Sequence, residues 1–260
     1  MKSIMTIKSI FICVVLFFVL SCATKKDGAQ PLEENLTAQP EVVWYSGYKM
    51  SDFLEQGFEI KSLKDIEFMM RYKWYDKFLV DHPKKTGTSI SLSSCQEYLD
   101  LNAKQLFTVK ESENAPFMAI SAMCQATKAI LEAVPAKDSF LGVLAFDEDL
   151  PNKFPARIAV VISESESAKL FNDKTIKYWS QINKISSVEK ITPYHAVYKH
   201  DGGSQEIELV AKGDFNGDAI EDMLITSRDS VEGGSYSALR LMLITKPSSN
   251  SEYVFIQQYN

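Results

Sequence analysis

Apolar residues recur at helical spacing in three stretches of the first half of the chain. Ser62 and Asp65 form a start resembling a capping box, and Leu63, Ile66, Met70, Trp74 and Phe78 then predict a helix that runs until His82-Pro83. Ser94 with Glu97 predicts a shorter second helix with Cys95 in its first turn. Asn114, Ala115 and Pro116 open a third, in which Phe117, Ile120, Cys124, Thr127 and Leu131 share one face and which Pro135 closes. The aromatic and methionine side chains in these stretches are read as core, because an amphipathic helix buries such a face in any fold.

From Phe140 the texture changes to short runs of β-branched and aromatic residues bounded by glycine and asparagine turns. Phe140 to Phe146 and Arg157 to Ile162 read as strands, and Ser163 to Ser186 fits neither period. The last seventy residues predict strands over 191–199, 205–212, 222–227, 236–245 and 252–259, with turns at Asp201-Gly202-Gly203, Gly233-Gly234 and 247–250. Sequential strands with short turns favour an antiparallel meander. The fold class expected is α+β, a helical part packed on one face of that sheet.

The pattern at the start of the chain is different. Lys2 and Lys8 precede an unbroken apolar run of 11 residues, Ile10 to Leu20, followed by Ser21 and Cys22. A bilayer-spanning helix needs about 20 apolar residues, so the run reads as a signal peptide. Val19-Leu20-Ser21-Cys22 resembles the bacterial lipobox. That resemblance implies cleavage after Ser21 and lipid on Cys22, hence a membrane partner through an N-terminal anchor. Ala23, where an aspartate would favour inner-membrane retention in enteric bacteria, implies by the same resemblance the outer membrane. Residues 22–42 are polar and carry two prolines, a tether that would hold the body roughly 25 Å from the lipid. The chain therefore divides into a signal (1–21), a tether (22–42), a helical part (43–136) and a β part (137–260).

Charge and cysteine usage narrow the picture. The formal net charge of -6 becomes -8 when the two lysines of the signal leave, and no basic cluster appears, which argues against nucleic acid as a partner. Of 4 cysteines, Cys13 leaves with the signal and Cys22 takes the lipid, leaving Cys95 and Cys124. In an oxidising envelope compartment the pair reads as a disulfide worth roughly 3.5 kcal/mol on the chain-entropy estimate. A redox pair or two buried thiols are the alternatives, although the spacing is not C-x-x-C.

One loop carries chemistry. In Gly213-Asp214-Phe215-Asn216-Gly217-Asp218-Ala219-Ile220-Glu221-Asp222, oxygen-bearing side chains stand at positions 1, 3, 5 and 9 counted from Asp214, an arrangement that suits calcium and its six to eight oxygen ligands. Asp214, Asn216, Asp218 and Asp222 would supply side chains and Ile220 its carbonyl. Position 12 is Ile225 rather than a bidentate glutamate, so this is no EF-hand. The alternative is a polar hairpin turning at Asn216-Gly217, with its carboxylates capping backbone N–H groups. Residues 213–225 resemble the calcium loops of FG-GAP repeats and the related VCBS-type bacterial repeats, which implies the same ligand set. Ala219 departs from the glycine of that pattern. A propeller needs at least four blades and one copy of the motif is present, so the wider resemblance is to uncharacterised envelope proteins with a single such loop.

No G-x-S-x-G elbow, H-E-x-x-H helix, P-loop or G-x-G-x-x-G fingerprint occurs. His195 and His200 stand five apart in an expected strand and would face opposite sides. Asp147-Glu148-Asp149 and the Glu164, Glu166 pair read as solvated charge. Trp44, Tyr45 and Tyr48 could stack on sugars or pack against the body. The function expected is a non-catalytic binding or structural module of the cell envelope, braced by calcium, with a protein or glycan partner. The alternative is an envelope hydrolase whose carboxylate site forms no motif.

Overall fold

The computed structural model describes residues 41–45, 53–57, 60–102, 106–161, 163–234 and 236–259, all within the compact unit Ala38–Asn260. The expected signal, Cys22, most of the tether and Tyr48 lie outside the described residues, as do the side chains of Glu164 and Glu166. Among the described residues no helix is long and apolar enough to cross a membrane.

The fold is α+β. Strands β1 (Val43–Trp44), β4 (Ile185–Thr192), β5 (His195–His200), β6 (Gly203–Gly213), β7 (Asp222–Val231), β8 (Ser237–Thr245) and β9 (Val254–Gln258) form one sheet. Its order is β4-β5-β6-β7-β8-β9, each pair antiparallel and consecutive, so the chain meanders. β1 adds to the end of β6, with Val43 opposite Lys212 and Trp44 opposite Ala211. A separate hairpin pairs β2 (Phe78–Asp81) with β3 (Ser89–Leu92).

Among the described residues four α-helices accompany the strands: α1 (Leu63–Arg71), α2 (Cys95–Asp100), α3 (Asn114–Glu132) and α4 (Glu164–Asn172). The cap signals set the starts of the first two. Ser62 Oγ accepts from Asp65 N, and Ser94 Oγ accepts from Glu97 N while Glu97 reaches back to Ser93 N. The expected face of α3 is buried at Phe117, Ile120, Cys124 and Thr127. Cys95 and Cys124 form a disulfide across 29 residues, with Cα atoms 5.2 Å apart, tying the first turn of α2 to the middle of α3.

Several expectations are corrected. The first helix ends at Arg71, and neither Trp74 nor Phe78 lies on it. Both are buried from extended backbone, Trp74 in a bridge with Leu54 and Phe78 as the first residue of β2, whose in-out alternation the helical template had absorbed. Phe140 to Phe146 is irregular, and Arg157 to Ile162 begins with a 3₁₀ turn, Ala156–Ile158. The expected strand 191–199 is split by a turn at Pro193-Tyr194 between β4 and β5, as a proline without an N–H demands in a ladder.

The helices α1, α2 and α3 pack on one face of the sheet as expected, and the other face is covered as well. Ala211, Leu224, Leu239, Leu241 and Leu243 join the core that includes α1, α2 and α3. Ile207, Leu209, Met223, Ile225, Met242 and Ile244 point the other way, onto Leu141, Phe146, Leu150, Phe154, Ile158 and Trp179. Residues 141–159 and 179–182 thus cover the second face from short turns and loops, and β7 and β8 are apolar on both sides for that reason. At the far end of these strands Arg240 holds the wrap. Its Nε donates to Asp229 Oδ2 at 2.6 Å and its Nη2 to the Ile158 carbonyl at 2.7 Å, while Gln205 Nε2 donates to that carbonyl at 2.8 Å.

Candidate functional site

The acidic loop joins β6 to β7 as a hairpin connection, so its ends are fixed by the longest ladder in the sheet. Asp214 Oδ1 accepts from Asn216 N and Gly217 N at 3.3 and 2.6 Å, and its Oδ2 from Ala219 N at 2.9 Å. Asp218 Oδ1 accepts from Ile220 N at 2.8 Å, and Asn216 Oδ1 from Asp218 N at 2.9 Å. Asn216 Nδ2 donates to Asp218 Oδ2 at 3.1 Å. These bonds coil the loop tightly, with Gly217 at φ 83° and Ala219 at φ 70°. Ala219 takes the left-handed conformation despite its β-carbon, which costs about 1 kcal/mol.

Asp222 is fully buried at the start of β7. Its Oδ2 accepts from Phe215 N at 3.1 Å, closing the loop, but Oδ1 has no well-aligned hydrogen bond among the described residues. Thr245 lies directly opposite in β8, and its Oγ1 is likewise buried without a partner. The Thr245 hydroxyl still favours the carboxylate, so the two groups face one another without a well-aligned hydrogen bond. Burial raises the Asp222 carboxyl to about 6, and the charges of Asp218 and Asp214 push the same way against the Phe215 N–H and the Thr245 hydroxyl. Among the described residues no three His, Cys, Asp or Glu side chains close into a ready cage. The loop groups hydrogen-bond one another and the backbone, and leave one oxygen of Asp222 over.

The loop also fastens a second piece of chain, which the sequence did not signal. Residues 134–139, directly after α3, run along it. Val134 and Asp214 exchange both N–H···O bonds, Lys137 N and Asp138 N both donate to the Ala219 carbonyl, and Glu221 N donates to the Asp138 carbonyl. Ser139 Oγ donates to Glu221 Oε2 at 2.5 Å. Gly213 permits the closest approach: a β-carbon there would stand 3.2 Å from Val42 Cγ2. The β6–β7 loop, the exit of α3 and the start of β1 therefore meet at one junction.

The remaining candidates do not assemble with this loop. His195 is buried and its Nε2 lies 2.7 Å from Glu206 Oε1, whereas Nδ1 of His200 contacts the Asp201 carbonyl. Asp147, Glu148 and Asp149 line an open depression with Val188 and Lys190. Trp44 packs on the first core, and Tyr45 packs on the second with its ring 4.2 Å from that of Tyr194. No protein-family model matches the chain, and comparisons with curated proteins and with solved structures also find no match.

Proposed function

We propose that this protein is a lipid-anchored lipoprotein of the bacterial cell envelope, carried on Cys22 and facing the periplasm or the surface from the outer membrane. Its body is a non-catalytic binding module, a helical part with one disulfide laid on a C-terminal meander. A single calcium loop of the FG-GAP type braces it.

The observation that carries the metal is the buried Oδ1 of Asp222, which among the described residues has no well-aligned hydrogen bond and only the Thr245 hydroxyl near it. An uncompensated carboxylate oxygen is costly inside a fold, and a hard divalent cation removes that cost where a proton otherwise must. Asp214, Asn216, Asp218 and Asp222 would hold the ion through side-chain oxygens and Ile220 through its carbonyl. With the ion bound, the carboxylates stop repelling one another, and the junction with residues 134–139 is held more firmly. The anchor rests on the lipobox residues Val19 to Cys22, and the tether length lets the module work near the membrane.

One experiment on the full-length protein addresses both parts. A fatty-acid probe is expected to label the wild-type chain and to leave Cys22→Ala unlabelled. Calcium is expected to release heat on titration and, at a hundredfold over Kd, to stabilise by about 2.7 kcal/mol. That corresponds to roughly 5–10 °C in Tm for a body of this size. Asp222→Asn should lose most of the shift. Neither heat nor shift with calcium would sink the metal reading, and equal labelling of Cys22→Ala would sink the anchor.

A further inference from the structure

The buried run Leu241-Met242-Leu243-Ile244 of β8 is wholly apolar, yet the residue that follows it, Thr245, is polar and only 2% exposed. A hydroxyl at that depth is costly unless something uses it. Thr245 stands between Asp222 on β7 and Val254 on β9, so the one polar side chain that the register sets opposite it is that of Asp222. The reverse also holds. Asp222 lies between Thr245 and Gly213 of β6, and glycine has no side chain to offer. Each of the two groups is therefore the other's one polar cross-strand neighbour.

Directly opposed residues of an antiparallel pair hold their Cβ atoms about 4.5–5.5 Å apart, within reach of a hydroxyl and a carboxylate. Threonine is stiff at χ1, so its hydroxyl has few directions to choose from. Among the described residues neither Asp222 Oδ1 nor Thr245 Oγ1 has a well-aligned hydrogen bond. Burial pushes the Asp222 carboxyl up, and of the groups that oppose this the Thr245 hydroxyl acts more strongly than the Phe215 N–H. The other oxygen, Oδ2, already accepts from Phe215 N at 3.1 Å.

We propose that Thr245 is a positioning residue for the acidic loop: its hydroxyl donates to Oδ1 of the ionised Asp222 and turns that carboxylate toward a bound divalent cation. Each carboxylate oxygen carries two lone pairs, so Oδ1 can accept from the hydroxyl and still face the cation. Hydrogen bonds behind a metal ligand fix its orientation, and losing one commonly weakens metal affinity by about 10–100-fold. The inference rests on the calcium reading and deepens it, adding a residue that β8 supplies from outside the loop. It does not depend on the lipid.

The test is calorimetric titration of the full-length protein in detergent with calcium alone, beside thermal melts in chelator. Thr245→Val keeps the shape of the side chain and deletes the hydroxyl, whereas Thr245→Ser keeps the hydroxyl and deletes the methyl group. Calcium affinity is expected to fall at least about tenfold in Thr245→Val and to stay near the wild-type value in Thr245→Ser. Tm in chelator should fall more in Thr245→Ser than in Thr245→Val, the opposite order. Thr245→Ala, a second variant without the hydroxyl, should bind as weakly as Thr245→Val. The proposal is overturned if either hydroxyl-free variant binds calcium as the wild type does, or if Thr245→Ser loses as much affinity as they do. A wild-type protein that releases no heat with calcium would sink the metal reading and this inference with it. A wild type that binds, beside hydroxyl-free variants that bind equally well, sinks this inference alone.

Discussion

Ala219 shows how a single residue is set against its neighbours. Its φ of 70° suits glycine, and the position is kept because its carbonyl accepts from both Lys137 and Asp138. Replacing it with glycine relieves that strain of about 1 kcal/mol and gives back about 0.4–1 kcal/mol through the freer unfolded chain. Ala219→Gly is therefore expected to stabilise by roughly 0.5 kcal/mol, about 1–2 °C in a thermal melt. A lower Tm would show that the methyl group packs usefully. The loop was legible in the sequence because the spacing of Asp214, Asn216, Asp218 and Asp222 is local. The orphan pair was not, since Asp222 meets Thr245 only through the β7–β8 register. Ser139 gave no signal at all, as nothing in its sequence neighbourhood marks it as the partner of Glu221.

Among the elements, those with side-chain caps or proline boundaries were readable, as Ser94 with Glu97 and Pro135 after α3 illustrate. Where a buried aromatic sat in extended chain, as Phe78 does, its spacing coincided with a helical period and misled. The segments around Phe146 and Ile158 were unreadable for a different reason: they bury side chains from irregular backbone, which has no period. What fixes such backbone is polar anchoring, and Asp229 is central to it. Its side chain is 2% exposed, accepts from Arg240 and Ser227, and helps hold Gln205 and Arg240 against the Ile158 carbonyl. Removing one partner of a buried pair strands the other, at about 3–5 kcal/mol. Asp229→Ala is expected to lose that much in urea unfolding, and a loss under about 1 kcal/mol would mean that the carbonyls alone satisfy Arg240. The exposed edge strand β4 is handled differently, with register irregularities at 185–187 and 190–192 and the charges of Glu189 and Lys190 discouraging another chain from pairing with it.

At the scale of the whole molecule the sheet acts as a partition between two cores, and its stability should respond to pH through Asp222. The folded carboxyl titrates at about 6 against an ordinary value of 3.8, so between these values the folded chain holds a proton that the unfolded chain has released. Stability therefore falls as pH rises through this window. Asp65 and Asp173 accept local hydrogen bonds that hold them below the usual range, and they act at lower pH with the opposite slope. In chelator, Tm is expected to decline from pH 4 to pH 7, and Asp222→Asn should flatten that part of the curve. A wild-type curve that rises through the window would contradict the assignment. The antiparallel meander was visible in the turns, but covering on both faces was not inferred, even though the unbroken apolar runs Met223-Leu224-Ile225 and Leu241-Met242-Leu243-Ile244 carry that information.

The packing of α3 against β8 also has a cost in time. The helix ends at Glu132 and β8 begins at Ser237, so about a hundred residues must follow the helix before the strand that covers it exists. At about 5–20 residues per second that is an interval on the order of 5–20 s, during which an apolar helical face leaves the ribosome without its lid. A chain ordered in this way is obliged to delay its own folding, and a holding chaperone that occupies that face would be of most use before the last strands are made.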